Sequence, residues 1–133
     1  MAVKRLKLDH ESDAFVLAIS CHQKSTKLAW EISRAVKCEL QATEEYENNI
    51  YFVTSVVGFP YFKWTNPDER FTIHLIGNRS EDSLLVPSQK QMDFFFVVTG
   101  FFEELDLEEG VNHIKNIESV LTAFPVVLDK IKQ

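Results

Sequence analysis

Asp93-Phe94-Phe95-Phe96-Val97-Val98-Thr99-Gly100-Phe101-Phe102 has no polar face. Neighbouring residues of a strand point to opposite sides of its sheet. Here the even set (Phe94, Phe96, Val98, Gly100, Phe102) and the odd set (Phe95, Val97, Thr99, Phe101) are both apolar in the main. Such a strand belongs inside a sheet, with material over both faces. A layered α+β domain organised around Phe94 to Phe102 is therefore the first expectation.

Working back from that strand, Ser88 to Gln91 is polar, Leu84 and Leu85 lead into Pro87, and Gly77 to Ser83 has the composition of a loop. Arg70 to Ile76 alternates, with Phe71, Ile73 and Leu75 on one side and Thr72, His74 and Ile76 on the other. The turn Asn66-Pro67-Asp68-Glu69 joins it to Tyr61 to Trp64 as a hairpin. Ile50 to Val57 reads as a further strand, broken at Gly58 and Pro60, and Thr43 to Asn49 as a loop. In the first third of the chain, Phe15 to Cys21 is too short for its period to tell helix from strand, its β-branched and aromatic content favouring a buried strand, and Val3 to Asp9 is a short edge strand or ordered arm. Ser25 caps a helix from about Thr26 to Lys37, whose apolar face is Leu28, Ile32, Ala35 and Val36.

Beyond the central strand, Leu105 to Ile117 opens with Asp106, Glu108 and Glu109, where a helix dipole favours negative charge, and carries the stripe Val111, Ile114, Ile117. Val120 to Leu128 is either the helix continued or a strand, and Pro125, which removes a ladder donor and sits badly in a helix, favours an edge strand. The order strand, helix, meander, strand, helix, strand predicts a single α+β domain over residues 1–133. Its mainly antiparallel sheet has about five strands and two helices packed on one face, in a ferredoxin-like or related split βαβ arrangement. The other face would expose apolar side chains of Ile50 to Val57 and Phe94 to Phe102. A homodimer through that face, or another protein covering it, is the consequence.

Composition narrows the function classes. The chain is 45% hydrophobic and 26% charged, ordinary for a globular protein, with eleven phenylalanines as its one excess. Fourteen basic against twenty acidic residues give a net charge of -6, which argues against nucleic acid as a partner. Membrane association is not expected, because no run approaches the roughly 20 apolar residues that span a bilayer. Lys4, Arg5 and Lys7 are followed by Asp9, His10, Glu11 and Asp13, where a signal peptide needs its apolar region, so a cytoplasmic location is expected. Cys21 and Cys38 lack Cys-x-x-Cys spacing and read as small buried hydrophobes.

No segment carries a catalytic or cofactor signature, and no cofactor is expected. Cys21 and His22 are adjacent on a strand and point apart, so a nucleophilic dyad would need His10, His74 or His113 brought in by folding. The four histidines share no metal-ligand spacing, and Glu103 to Gly110 lacks the alternating oxygens of a calcium loop. Gly58, Gly77, Gly100 and Gly110 are isolated, which excludes the familiar nucleotide-binding loops. Asn78, Arg79 and Ser80 form a turn that can hold a small anion, although a plain surface turn explains them as well. Phe59, Pro60, Tyr61, Phe62 and Trp64 concentrate aromatics without the lysines and arginines of a single-strand nucleic-acid platform, so core or interface is the better reading.

Val86-Pro87-Ser88-Gln89-Lys90-Gln91-Met92-Asp93-Phe94 resembles the hallmark segment of the IPExxxVDY proteins, a small bacterial family. Pro87 and Asp93 match; Val86, Ser88, Met92 and Phe94 stand where that family has Ile, Glu, Val and Tyr. Ile19-Ser20-Cys21-His22, the following helix with Leu28 and Trp30, and Gly77-Asn78-Arg79-Ser80 are also similar, so the landmarks span about residues 6 to 125. The resemblance implies a cytoplasmic bacterial protein and no particular activity. Physically, Pro87 fixes a turn into the strand and Asp93 accepts backbone N–H groups at its start. The candidate ligand or interface residues are therefore Cys21, His22, Asn78, Arg79, Ser80, Pro87 and Asp93. A non-enzymatic homodimeric binding or interaction module is the leading expectation. The alternatives are a small-molecule sensor with its ligand near Gly77 to Ser80, and a small enzyme using Cys21.

Overall fold

The structure, a computed structural model, describes residues 14–44, 56–68, 71–81 and 83–126. In chain order the elements are β1 (Phe15–Cys21), α1 (Ser25–Val36), β2 (Gln41–Ala42), β3 (Tyr61–Asn66), β4 (Phe71–Gly77), β5 (Arg79–Ser80) and β6 (Ser83–Leu84). A 3-10 turn (Pro87–Gln89), β7 (Phe94–Gly100), α2 (Glu104–Lys115) and β8 (Val120–Val126) follow. Six strands form one antiparallel sheet in the order β2-β3-β4-β7-β1-β8. The strand with two apolar faces, β7, lies between β4 and β1, as its sequence requires. The sixth strand, beyond the five expected, is the two-residue β2 at the edge.

The helical connections explain the order. β1 and β4 run parallel with β7 between them, and β7 and β8 run parallel with β1 between them. The connection through α2 is thus split by one strand, β1, whereas the connection through α1 leads from β1 to the edge strand β2, with β7, β4 and β3 between them. β8 is an edge strand, and it takes Pro125 opposite Leu17, a placement open to proline because an edge has one unpaired side.

Side-chain alternation divides the interior into two cores. Leu17 and Ile19 of β1, Ile73 and Leu75 of β4, and Phe94, Phe96 and Val98 of β7 face the helices, where Leu28, Ala29 and Ile32 of α1 and Ile114 of α2 meet them. Each fully buried Leu or Ile there contributes roughly 1.5–3 kcal/mol of burial free energy. The opposite face carries Val16, Ala18, Tyr61, Ile76, Phe95 and Val97, packed with Val56, Phe59, Leu85, Val86 and Met92. Phe95 is 0% and Val97 1% exposed.

That second core corrects an expectation. Both helices do lie on one face, but the other face is not open: the segments on either side of the β3–β4 hairpin fold back over it with five apolar side chains. The reason given for a second copy on that face is removed. Of the expected strand Ile50 to Val57, residues 50–55 lie outside the described residues. Val56 and Val57 are not strand, and Val56 packs into this core. The Val3 to Asp9 strand and most of the Thr43 to Asn49 loop also lie outside them.

Local corrections are smaller. Ser25 does not cap α1; the N-cap is Lys24, with extended backbone and no side-chain cap bond, and its carbonyl accepts the Leu28 N–H at 3.0 Å. The helix ends instead on Lys37 at φ 60, and the Ser33 carbonyl accepts the Cys38 N–H at 3.0 Å. Gly77 to Ser83 is more ordered than a loop, since Arg79 pairs with Leu84 and Ser80 with Ser83 as β5 and β6. Cys21 and Cys38 are free and buried, as their lack of spacing predicts.

Candidate functional site

Asn78 is 0% exposed, and a buried carboxamide must find partners for its donors and its acceptor. Its Nδ2 donates to the carbonyls of Gln89 (3.0 Å) and Met92 (2.8 Å), and its Oδ1 accepts the Val86 N–H at 2.8 Å. The Asn78 N–H donates to the Asp93 carbonyl at 2.9 Å, and its own carbonyl accepts the Leu85 N–H at 2.9 Å. One side chain therefore fixes the whole segment from Val86 to Met92 over the second core. Gly77 is needed beside it: its N–H donates to the Pro60 carbonyl at 2.8 Å, and a Cβ there would lie 2.9 Å from the Pro60 ring.

Asp93 closes the same cluster. Its Oδ2 accepts the Cys21 N–H at 2.8 Å, and its own N–H donates to the Ile19 carbonyl at 2.8 Å. Arg79 reaches Asp93 Oδ1 through Nε at 3.4 Å and the Lys90 carbonyl through a terminal nitrogen at 2.7 Å. Of the seven candidates from sequence, Asn78, Arg79, Asp93 and the Cys21 backbone are thus brought together. Ser80 donates to the Gly58 carbonyl at 2.7 Å, Pro87 opens the exposed 3-10 turn, and His22 is exposed just past β1. Ile19 to Cys21, Gly77 to Ser80 and Val86 to Asp93 meet here, and what they build is a clasp between strands.

The Cys21 sulfur sits beside a hydroxyl. It lies 3.6 Å from Ser119 Oγ, which donates to Glu31 Oε1 at 2.8 Å, and it accepts the Gln23 N–H at 3.5 Å. His74 lies on the opposite sheet face, 2.8 Å from the Tyr61 hydroxyl and 3.3 Å from Thr99. His113 is 3.8 Å from Glu109 on exposed α2. Among the described residues, no three of His, Cys, Asp and Glu form a group that could hold a metal ion.

A different place offers room for a ligand. Where α1 and α2 meet the β3–β4 hairpin, the helix side of the sheet holds a cavity of about 290 Å³. Its floor is apolar because the helix-facing positions of three strands contribute it: Trp64 of β3, Phe71 and Ile73 of β4, Phe96 and Val98 of β7. Trp64 and Phe71 meet edge to face with ring centroids 6.0 Å apart. Phe102, Leu107, Val36 and Gly110 also line it. Its rim carries Glu103, Asp106 and Glu109 against Lys37, with His113 beside Glu109. The mouth is net negative over an aromatic floor.

Sequence reading missed this site because its floor comes from three strands separated in the chain. The acidic run from Glu103 is explained by the start of α2 alone, and Trp64 with Phe71 by a packed hairpin. No helix among the described residues is long and apolar enough to cross a membrane. No family model, curated protein or solved structure matches the chain.

Proposed function

We propose that the protein is a non-enzymatic binding module whose ligand is a small organic cation with an apolar body, held in the cavity between the helices and the β3–β4 hairpin. The aromatic floor beneath three carboxylates carries this reading. At about 290 Å³ the cavity lies near the lower end of the roughly 300–1,000 Å³ of small-molecule sites, which are mostly apolar with a few placed polar groups. A cation over Trp64 or Phe71 gains about 0.5–2 kcal/mol from the ring, and Asp106 and Glu109 add attraction at the mouth.

The ligand is placed here and not near Gly77 to Ser80, where Asn78 and Arg79 already bond the chain's own carbonyls and Asp93. A Cys21 enzyme has less support, since the residue is 2% exposed and its sulfur lies against Ser119. Membership in the IPExxxVDY family, a bacterial source and a cytoplasmic location belong to the same proposal. The meeting of the three resembling stretches in one clasp favours the first of these.

Calorimetric titration with phenethylamine, and with 3-phenylpropionate as a control of similar shape and opposite charge, tests the reading. The amine binds and the carboxylate does not, and Trp64→Ala abolishes the heat. Asp106→Asn with Glu109→Gln weakens binding by about two- to tenfold, as expected for partly screened charges. Equal binding of both probes, or of neither up to millimolar concentration, overturns it.

A further inference from the structure

The outer surfaces of the two helices differ in charge. On α1, Lys27, Trp30, Arg34 and, just past its end, Lys37 follow at spacings of three and four, so they share one face. That face points away from the core, which takes Leu28, Ala29 and Ile32. All four are exposed, and Trp30 is 54% exposed with Lys27 Nζ 5.3 Å and the Arg34 guanidinium 4.8 Å from its ring. On α2 the exposed residues include Asp106, Glu108 and Glu109, with Leu105 77% exposed among them. α1 and α2 pack side by side on one face of the sheet. One layer therefore offers a basic stripe with an apolar centre on α1 next to an acidic patch around Leu105 in the first half of α2, whose last turn carries the exposed His113 and Lys115.

We infer that this helix layer is the self-association surface of the protein, with α1 of one copy against α2 of a second copy. Charge complementarity selects the occupant. A two-fold axis lying in the plane of the layer, between the helices, turns α1 onto the second copy's α2 and α2 onto its α1, so both contacts form at once. Trp30 with Leu105 supplies the apolar centre, and Lys27 and Arg34 against Glu108 and Glu109 set the register. The chain carries a net charge of -6, so face-to-face approach is otherwise repulsive, and a basic stripe on one helix is what permits it. The inference does not rest on the cavity ligand, and Glu109 takes part in both surfaces.

Sedimentation velocity of the full chain from about 10 μM to about 1 mM tests it, at about 50 mM and about 500 mM salt. Wild type dimerises at low salt, and the dissociation constant rises by about tenfold or more at high salt, where the Debye length falls below roughly 5 Å. Trp30→Ala weakens the dimer, with circular dichroism and melting temperature reporting the fold. In the decisive arm, one variant carries Lys27→Glu and Arg34→Glu and another carries Glu108→Lys and Glu109→Lys. Each alone is monomeric, and an equimolar mixture gives a heterodimer, since both of its contacts regain opposite charge. A wild type that stays monomeric throughout overturns the inference. So does a dimer indifferent to salt and to these variants, a mixture that stays monomeric, or a monomer that binds poly-glutamate through Trp30. If a double variant is unfolded, Lys27→Gln and Arg34→Gln take its place, and undiminished dimerisation in both overturns it.

Discussion

The backbone N–H of Cys21 donates to Asp93 Oδ2 at 2.8 Å across 72 positions of sequence. The bond ties the end of β1 to the start of β7, and the Asp93 N–H returns one to the Ile19 carbonyl at 2.8 Å. Two neighbouring strands are thereby registered at one end before their ladder begins with Ile19 opposite Phe94.

Asp93→Asn and Asp93→Ala should therefore differ. The carboxamide oxygen of Asn can still accept the Cys21 N–H, and the exposed Arg79 contact at 3.4 Å is worth at most about 1 kcal/mol. Ala leaves that N–H without its acceptor, at a cost of about 1–3 kcal/mol. Urea denaturation of both variants measures the gap, and equal stabilities would show the side-chain acceptor to be dispensable.

Asn78→Asp should be worse than Asn78→Ala. The aspartate loses both donors to the Gln89 and Met92 carbonyls and faces them with a buried negative charge. A loss of about 3 kcal/mol or more is expected for Asp, against about 2–3 kcal/mol for Ala. The same denaturation experiment ranks them, and the gap narrows below the carboxylate range as the Asp protonates.

Two glycine-to-alanine changes should have opposite signs. At Gly77 the new Cβ would meet the Pro60 ring at 2.9 Å, an overlap costing about 1–3 kcal/mol. At Gly110, inside α2, it would meet Val36 Cγ1 at an ordinary 3.5 Å, and the helix gains up to about 1 kcal/mol from losing a glycine. Melting temperatures should fall for Gly77→Ala and rise for Gly110→Ala.

Cys38 predicts an alkaline limit. Burial pushes its thiol from an ordinary 9.0 up to about 11, against smaller opposing effects of hydrogen bonds to Ser33 and the Leu40 backbone. The folded state then holds a proton that the unfolded chain gives up near 9. The stability it contributes is whole below about pH 9 and is lost as pH rises towards 11. Cys38→Ala should flatten the fall in stability over that window, measured by urea denaturation at fixed pH values.

The legible parts of the fold are those with a period or a forbidden residue. Phe94 to Gly100 declares itself central because both alternating sets are apolar, and Pro125 sends Val120–Val126 to an edge. Asn78 and Asp93 are legible as turn formers, and their roles prove to be those of a clasp. What hides is whatever lacks regular repetition. Leu85, Val86 and Met92 cover the second face from irregular backbone, with Val56 and Phe59 beside Gly58, and no spacing marks such residues as core. The cavity hides for a related reason: its floor is ordinary strand packing until the helices fail to cover it.

β1 has one more consequence, for the order in which the chain is made. Val16 pairs with Val97 on one side and Val126 on the other, so neither partner exists when β1 is synthesised. At about 5–20 residues per second, roughly a hundred residues of further translation leave this strand waiting several seconds or more. Its four central residues, Val16 to Ile19, are at most 1% exposed once folded. A stretch that is made long before its partners is thus one that, in the finished molecule, scarcely touches water.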